Sequence, residues 1–182
     1  MTVIVFDIEA DGLIEDATKI HCLCSNEIVN DREHVSVIEE ITKHTILNVF
    51  EGADYIVGHN IIGYDLPMIK KFCGIDLIKL LGKDAIIDTY LWSKVANPDR
   101  EMPKGCPTTI INPVTNKIKR IGPHGLEAWG WRVGERKVEI NDWRTFTPKM
   151  VERCKVDVEI NIRVYKKLCK EMSLKPEEPY AN

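Results

Sequence analysis

The sequence has no run approaching the ~18 consecutive apolar residues of a membrane-spanning helix. Its opening, MTVIVFDIEADG, lacks the basic start and small-residue cleavage site of a secretory signal, so a cytoplasmic location is expected. No global basic field advertises a nucleic-acid partner, because 25 Lys and Arg face 28 Asp and Glu for a net charge of −3. Any attraction for phosphates must then be local, and a metal-holding carboxylate cluster would itself contribute negative charge. The six cysteines form no CxxC pair, which fits reduced thiols better than a disulfide framework. His21, Cys22 and Cys24 could seed a zinc site, but no second ligand cluster completes a tetrahedron, and KIHCLCS alternates like a strand. Internal repeats and low-complexity linkers are absent too. A single domain over 1–174 with a flexible tail over 175–182 is expected.

What is present alternates between strand and helix signals. Residues 2–7 are rich in β-branched side chains and read as a buried strand. Residues 19–26 and 33–38 read as two further strands, 38–50 as a helix, 55–58 as a short strand and 64–72 as a helix. Ile86-Ile87-Asp88 leads into a helix over 89–95, with Asp88 as its cap. Between Met102 and Leu126 lie four of the nine prolines, four basic residues and no acidic ones. There, 108–111 and 117–121 read as a basic hairpin, and a short helix covers 126–131. The last helix is expected from Pro148 to about Met172, with Thr147 as N-cap. The pattern predicts an α/β protein, a mixed β-sheet flanked by helices; its assignment to the ribonuclease H-like fold leans on the motifs below more than on the pattern.

Four carboxylates carry the chemistry. Asp7 and Glu9 stand two apart at the end of the first strand, so both point to one face. Such a pair repels itself and suffers desolvation unless a cation neutralises it. Asp65 falls in the first turn of a helix, where the macrodipole favours an acid. Asp157 borders an apolar helix stripe of Val151, Cys154, Val158, Ile162 and Tyr165, a costly place for an unpaired charge. Together they suit a phosphodiester hydrolase with two divalent metal ions, Mg²⁺ or Mn²⁺, roughly 4 Å apart.

FDIEADGL, GHNIIGYD and RCKVDVEIN stand in the order of the three motifs of the DEDD superfamily of 3′–5′ exonucleases. More narrowly, KIHCLCS, VGHNIIGYDLPMI, IIDTYLWS and HGLEAWGWRVGERK resemble the N-terminal proofreading exonuclease domain of phage family A DNA polymerases. The resemblance covers residues 2–170. It implies that Asp7 bridges both metals, that Glu9 and Asp157 complete the first site, and that Asp65 serves the second. It also implies that Gly12 and Leu13 pack against the terminal nucleotide, with Asn60 near the 3′ end. Expected partners are DNA 3′ ends, single-stranded or frayed, with a separate polymerase subunit as a further candidate; a membrane is not expected. RNA ends, or a weakened module that only binds nucleic acid, are the alternatives.

Two departures from that family stand out. The chain stops about where a polymerase domain would begin, as in a free-standing exonuclease, one gene of a split polymerase or an excised domain. The family's third motif also carries a Tyr four residues, or a His five residues, before its last Asp, whereas Arg153 and Glu152 stand here. Arg153 shares a helix face with Asp157 but is a permanent cation and cannot be a general base. Glu152 could be one only if turned inward. If metals alone activate the water, Arg153→Tyr should raise the rate; if Arg153 contacts the phosphate, it should lower it. Lys117, Lys119 and Arg120 on the hairpin are the candidates for tracking phosphates. Trp129, Trp131 and His124 could stack on bases, though burial in the core is the expectation for Trp129.

Overall fold

A computed structural model describes residues 1–28, 35–113 and 116–180. Its sheet has five strands in the order β3-β2-β1-β4-β5. These are β1 (Val3–Ala10), β2 (Ile20–Glu27), β3 (Ser36–Ile38), β4 (Tyr55–Gly58) and β5 (Ile86–Asp88). The first three pair antiparallel, and β4 and β5 add on parallel to β1. Helices α1 (Lys43–Phe50), α2 (Asp65–Cys73), α3 (Leu77–Leu81), α4 (Thr89–Ala96), α5 (Leu126–Val133) and α6 (Pro148–Glu171) flank it. The hairpin is β6 (Thr109–Ile111) with β7 (Ile118–Arg120). Among the described residues no helix is long and apolar enough to cross a membrane.

The two-residue period of β1 decides what each face holds. Ile4, Phe6, Ile8 and Ala10 point into one core with Ile46, Phe50, Met68, Ile69 and Leu77 from α1, α2 and α3. Phe6 and Phe50 meet edge to face at 4.9 Å. Val3 and Val5 point the other way, against Cys154, Val158 and Tyr165 of α6. Asp7 and Glu9 continue that second row, so alternation alone delivers both acids to the α6 side. Opposite them on β2 stand Cys24 and Cys22. His21, Cys22 and Cys24 are thus strand residues, as KIHCLCS predicts. A register shift between Glu9 and Ala10 bends β1 where the acids end.

Several boundaries move. Helix α1 begins at Lys43 rather than near 38, because Thr42 and Thr45 form a reciprocal cap. Strand β3 begins at Ser36; its expected start at 33 lies outside the described residues, as do Val114 and Thr115 of the hairpin turn. Thr147 is extended and Pro148 opens α6, but the Thr147 hydroxyl makes no capping bond. Helix α3 and a 3₁₀ turn at Lys83–Ala85 are additions to the sequence reading. The tail expected to be loose makes contacts as far as Tyr180. Tyr165 donates its hydroxyl to the Pro176 carbonyl at 2.9 Å, and Tyr180 packs on Tyr55 and Trp92.

Candidate active site

At the carboxyl ends of β1, β4 and β5 the chain leaves the sheet and a cleft of about 650 Å³ opens. Asp7 and Glu9 enter it from β1 and Asp157 from α6. One oxygen from each lies within 4.8 Å of the others. Asp65 joins the same cleft from the first turn of α2 without belonging to that triad. Beyond Val57 the strand β4 no longer pairs with β1, and Asp65 Oδ1 instead accepts the Ile8 amide at 3.1 Å. The hydrogen bond fixes Asp65 against the strand that carries the other two acids.

Burial dominates the electrostatics. It pushes the Asp7 carboxyl well above its ordinary range, and Asp65, Asp157 and Glu9 push it further. Glu9 rises to about 8 by burial, although Arg153 opposes the rise. Asp65 rises to about 7, again by burial. Cys22, Cys24 and Cys154 are fully buried beside the acids: Cys24 and Cys22 stand opposite Asp7 and Glu9 on β2, and the Cys154 thiol donates to the Asp7 carbonyl at 3.3 Å. Two side-chain cations stand within the acid cluster. Lys137 Nζ is 2.6 Å from Asp157 Oδ2, and Arg153 Nε is 3.2 Å from Glu9 Oε1 and 3.8 Å from Asp157 Oδ2. The Arg153–Glu9 pair is close but not aligned as a hydrogen bond, and Asp157 Oδ1 is buried without a partner. Buried carboxylate oxygens left in that condition, with hard oxygen donors only, fit divalent cations of the Mg²⁺ or Mn²⁺ type.

The neighbouring loops are stiff. Asp88 caps α4 by accepting the Tyr90 and Leu91 amides, as expected, and also accepts the Asn60 and Ile62 amides at 2.9 and 3.2 Å. Asn60 thereby sits at the cleft edge with φ 62°, a left-handed conformation Asn tolerates. Gly58 is needed just before it, because a Cβ there would lie 1.9 Å from Ile61 Cγ2. Tyr64 donates its hydroxyl to the Gly12 carbonyl at 2.7 Å, and Lys71 holds the Ile14 and Ala17 carbonyls. Leu13, on that pinned loop, is 69% exposed and faces the cleft.

Lys119 and Arg120 line the cleft, whereas Lys117, farther out on the hairpin, does not. Lys119 stays exposed to solvent, yet the protein mass around it and then Lys137 and Arg153 lower its pKa. Glu152 is exposed, so it is not turned inward as a base would have to be. Trp129 is fully buried and donates to Ser93 Oγ at 3.1 Å, which also bonds His124. Neither is a stacking platform. Trp131 lies under the Arg136 guanidinium at 3.6 Å from its ring centre. The sequence reading missed Lys137 altogether. It stands in the last position of the HGLEAWGWRVGERK segment, outside any helix or strand, where neither periodicity nor capping singles out one lysine.

No family model matches the chain. Over 145 residues it is 32% identical to the DNA-directed DNA polymerase of Escherichia phage T7, covering 76% of this chain and 20% of that one. The DNA-directed DNA polymerase of Enterobacteria phage T3 is 30% identical over 151 residues with the same coverage. The chain thus spans about a fifth of the length of these curated relatives. Among solved structures, the Aedes aegypti Nibbler EXO domain superposes with a TM-score of 0.56 at 15% identity, over 97% of this chain and 83% of that one. At that identity the likeness concerns the fold, a ribonuclease H-like sheet flanked by helices.

Proposed function

We propose that this chain, with an exonuclease-domain fold and a sequence similar to phage DNA polymerases, is a metal-dependent 3′–5′ exonuclease acting on DNA ends. The observation that carries the reading is the convergence of Asp7, Glu9 and Asp157 within 4.8 Å, from a strand and a helix far apart in sequence. Nothing in the packing requires three acids there, and burial penalises each of them. Asp7, Glu9 and Asp157 would hold one ion, with Asp7 shared and Asp65 serving a second. Bound there, the ions would lower the pKa of an attacking water and take up charge on the leaving oxygen.

The chain's own residues do the rest. Gly12 and Leu13, braced by Tyr64 and Lys71, offer an apolar edge for the terminal base, and Asn60 lines the same cleft. The cleft takes a nucleotide withdrawn from its stack, so single strands and frayed ends should be cut faster than blunt duplexes. The polymerase relatives make a separate polymerase subunit, in a host cytoplasm, the natural partner of this reading. The test is incubation of 3′-labelled and 5′-labelled single strands with Mg²⁺, Mn²⁺ or chelator, with RNA of the same sequence alongside. Mononucleotides are expected from the DNA 3′ end in either metal. Release from the 5′ end, or activity that survives chelation, would refute the proposal, and faster cutting of RNA would reassign its substrate.

A second expectation concerns the hairpin. Neutralising Lys117, Lys119 and Arg120 together should weaken single-strand binding and flatten its salt dependence. Two of the three line the cleft, so the slope of log K against log salt should fall by about 1.4, at ~0.7 per phosphate contact on a single strand. Fluorescence anisotropy across a salt titration measures it. An unchanged slope would leave the hairpin no part in binding.

A further inference from the structure

Residues 135–147 link α5 to α6 without regular secondary structure, yet the segment is tied down at several points along its length. The Glu135 amide bonds the Gly130 carbonyl at 2.9 Å, closing α5. A ring nitrogen of His21 contacts the Trp143 carbonyl at 2.7 Å, and the Arg153 guanidinium lies 5.2 Å from the Trp143 ring centre. Arg153 Nη1 also donates to the carbonyl of Val138, the residue after Lys137. These tethers thread Lys137 into the acid cluster, where its side chain is only 11% exposed. A long flexible cation is rarely confined this way on a segment that could leave it in water.

We propose, building on the nuclease reading, that Lys137 is a further catalytic residue and Arg153 its positioning residue. In the metal-free protein the ammonium serves as counter-ion to Asp157. A divalent cation held by Asp157 would compete with Lys137, 2.6 Å from its Oδ2, for the charge of that carboxylate. The displaced ammonium remains in the cleft, anchored through Val138, and its new partner is a non-bridging oxygen of the phosphodiester. In-line attack gives the phosphate one more negative charge, and a cation already desolvated beside it stabilises that charge without reorganisation. Arg153 is committed to Glu9, the Val138 carbonyl and Trp143, so it acts through the segment and not on the phosphate. The position where the related family keeps a Tyr then holds the strut for a different cation.

The opposed signs of two effects provide the test. K137M keeps the apolar stem and removes the charge. It should tighten Mn²⁺ binding severalfold in calorimetry without nucleic acid, because the competitor is gone. It should also slow single-turnover cleavage at saturating Mn²⁺ by about 10²-fold, with K137R recovering part of the loss. R153A and R153Y should both slow cleavage, and K137M should add little on top of R153A, since coupled residues are non-additive. A K137M rate within threefold of wild type at saturating metal would overturn the catalytic role and leave a mere counter-ion. Unchanged or weaker Mn²⁺ binding would overturn the competition, and full additivity with R153A would overturn the positioning role. Absence of metal-dependent cleavage by wild-type protein would instead sink the nuclease reading, and the calorimetry would still report on Lys137 and Asp157.

Discussion

Asp7→Ala should lower single-turnover cleavage by at least ~10³-fold while raising the melting temperature of the metal-free protein. The two effects share one cause. Asp7 sits where burial and three other carboxylates oppose its ionisation, so its charge is a liability to the fold and of use only when cations are bound. On the proposed reading, removing it takes away a ligand that any bound cation needs, and it also relieves the repulsion. Asp157→Ala should cost as much activity but stabilise less, because it also strips Lys137 of its partner at 2.6 Å and leaves a confined ammonium. Thermal melts in chelator, beside single-turnover rates in Mg²⁺, check both variants. An Asp7→Ala protein that cleaves near the wild-type rate would remove this residue from the metal site.

The metal-free protein is also expected to lose stability as pH rises, the reverse of ordinary acid-limited behaviour. Unfolded, Glu9 and Asp65 ionise near 4.5 and 3.8; folded, burial raises them to about 8 and 7. Between those limits the folded state holds protons that the unfolded state has released, so the slope of stability with pH is negative. The contribution is fully present below about pH 4 and is lost as pH climbs through 7 and 8. His59 works in the opposite sense at lower pH. Burial holds it down to about 3, so it favours folding as pH rises towards its ordinary 6.5. Above about pH 6.5 His59 no longer contributes, and the three raised carboxyls, Asp7 included, act against Cys22, whose thiol the contacts with Cys154 and Cys24 hold down to about 4. The carboxyls outnumber the thiol, so the melting temperature in chelator should fall from pH 6.5 to 8.5, at ~2–4 °C per kcal/mol lost for a chain of this size. Millimolar Mn²⁺ should abolish the drop, since ions bind the deprotonated acids and stabilise by mass action. A melting temperature that rises across this window in chelator would contradict the raised carboxylates.

Strand alternation made the Asp7–Glu9 pair and its face legible, and the apolar stripe of α6 did the same for Asp157. Both signals are local and periodic. Asp88 was readable as a cap because capping is a property of adjacent residues, but its hold on Asn60 and Ile62 was not, because that contact depends on β4 and β5 being neighbours. Helix α3 escaped notice because it has five residues, too few for a periodicity to show. Overlapping signals blurred residues 36–42, where a strand edge runs directly into a capping box. The pairing of Arg153 with the acids follows from its i, i+4 spacing to Asp157, but Lys137 and the ties of Arg153 to Val138 and Trp143 were illegible for another reason. Their roles arise from an irregular segment whose path is set by His21 and Arg153, 116 and 16 positions away from Lys137. No local pattern encodes such a path.

The fourfold grip of Asp88 has a mechanical consequence. One carboxylate holds four amides, two from the loop after β4 and two from the first turn of α4. It works as a rivet through two plates. The loop cannot swing without prying the helix, and a load on α4 is delivered to Asn60 with little slack between. That edge of the cleft therefore behaves as an anvil, a fixed surface against which an incoming strand is seated.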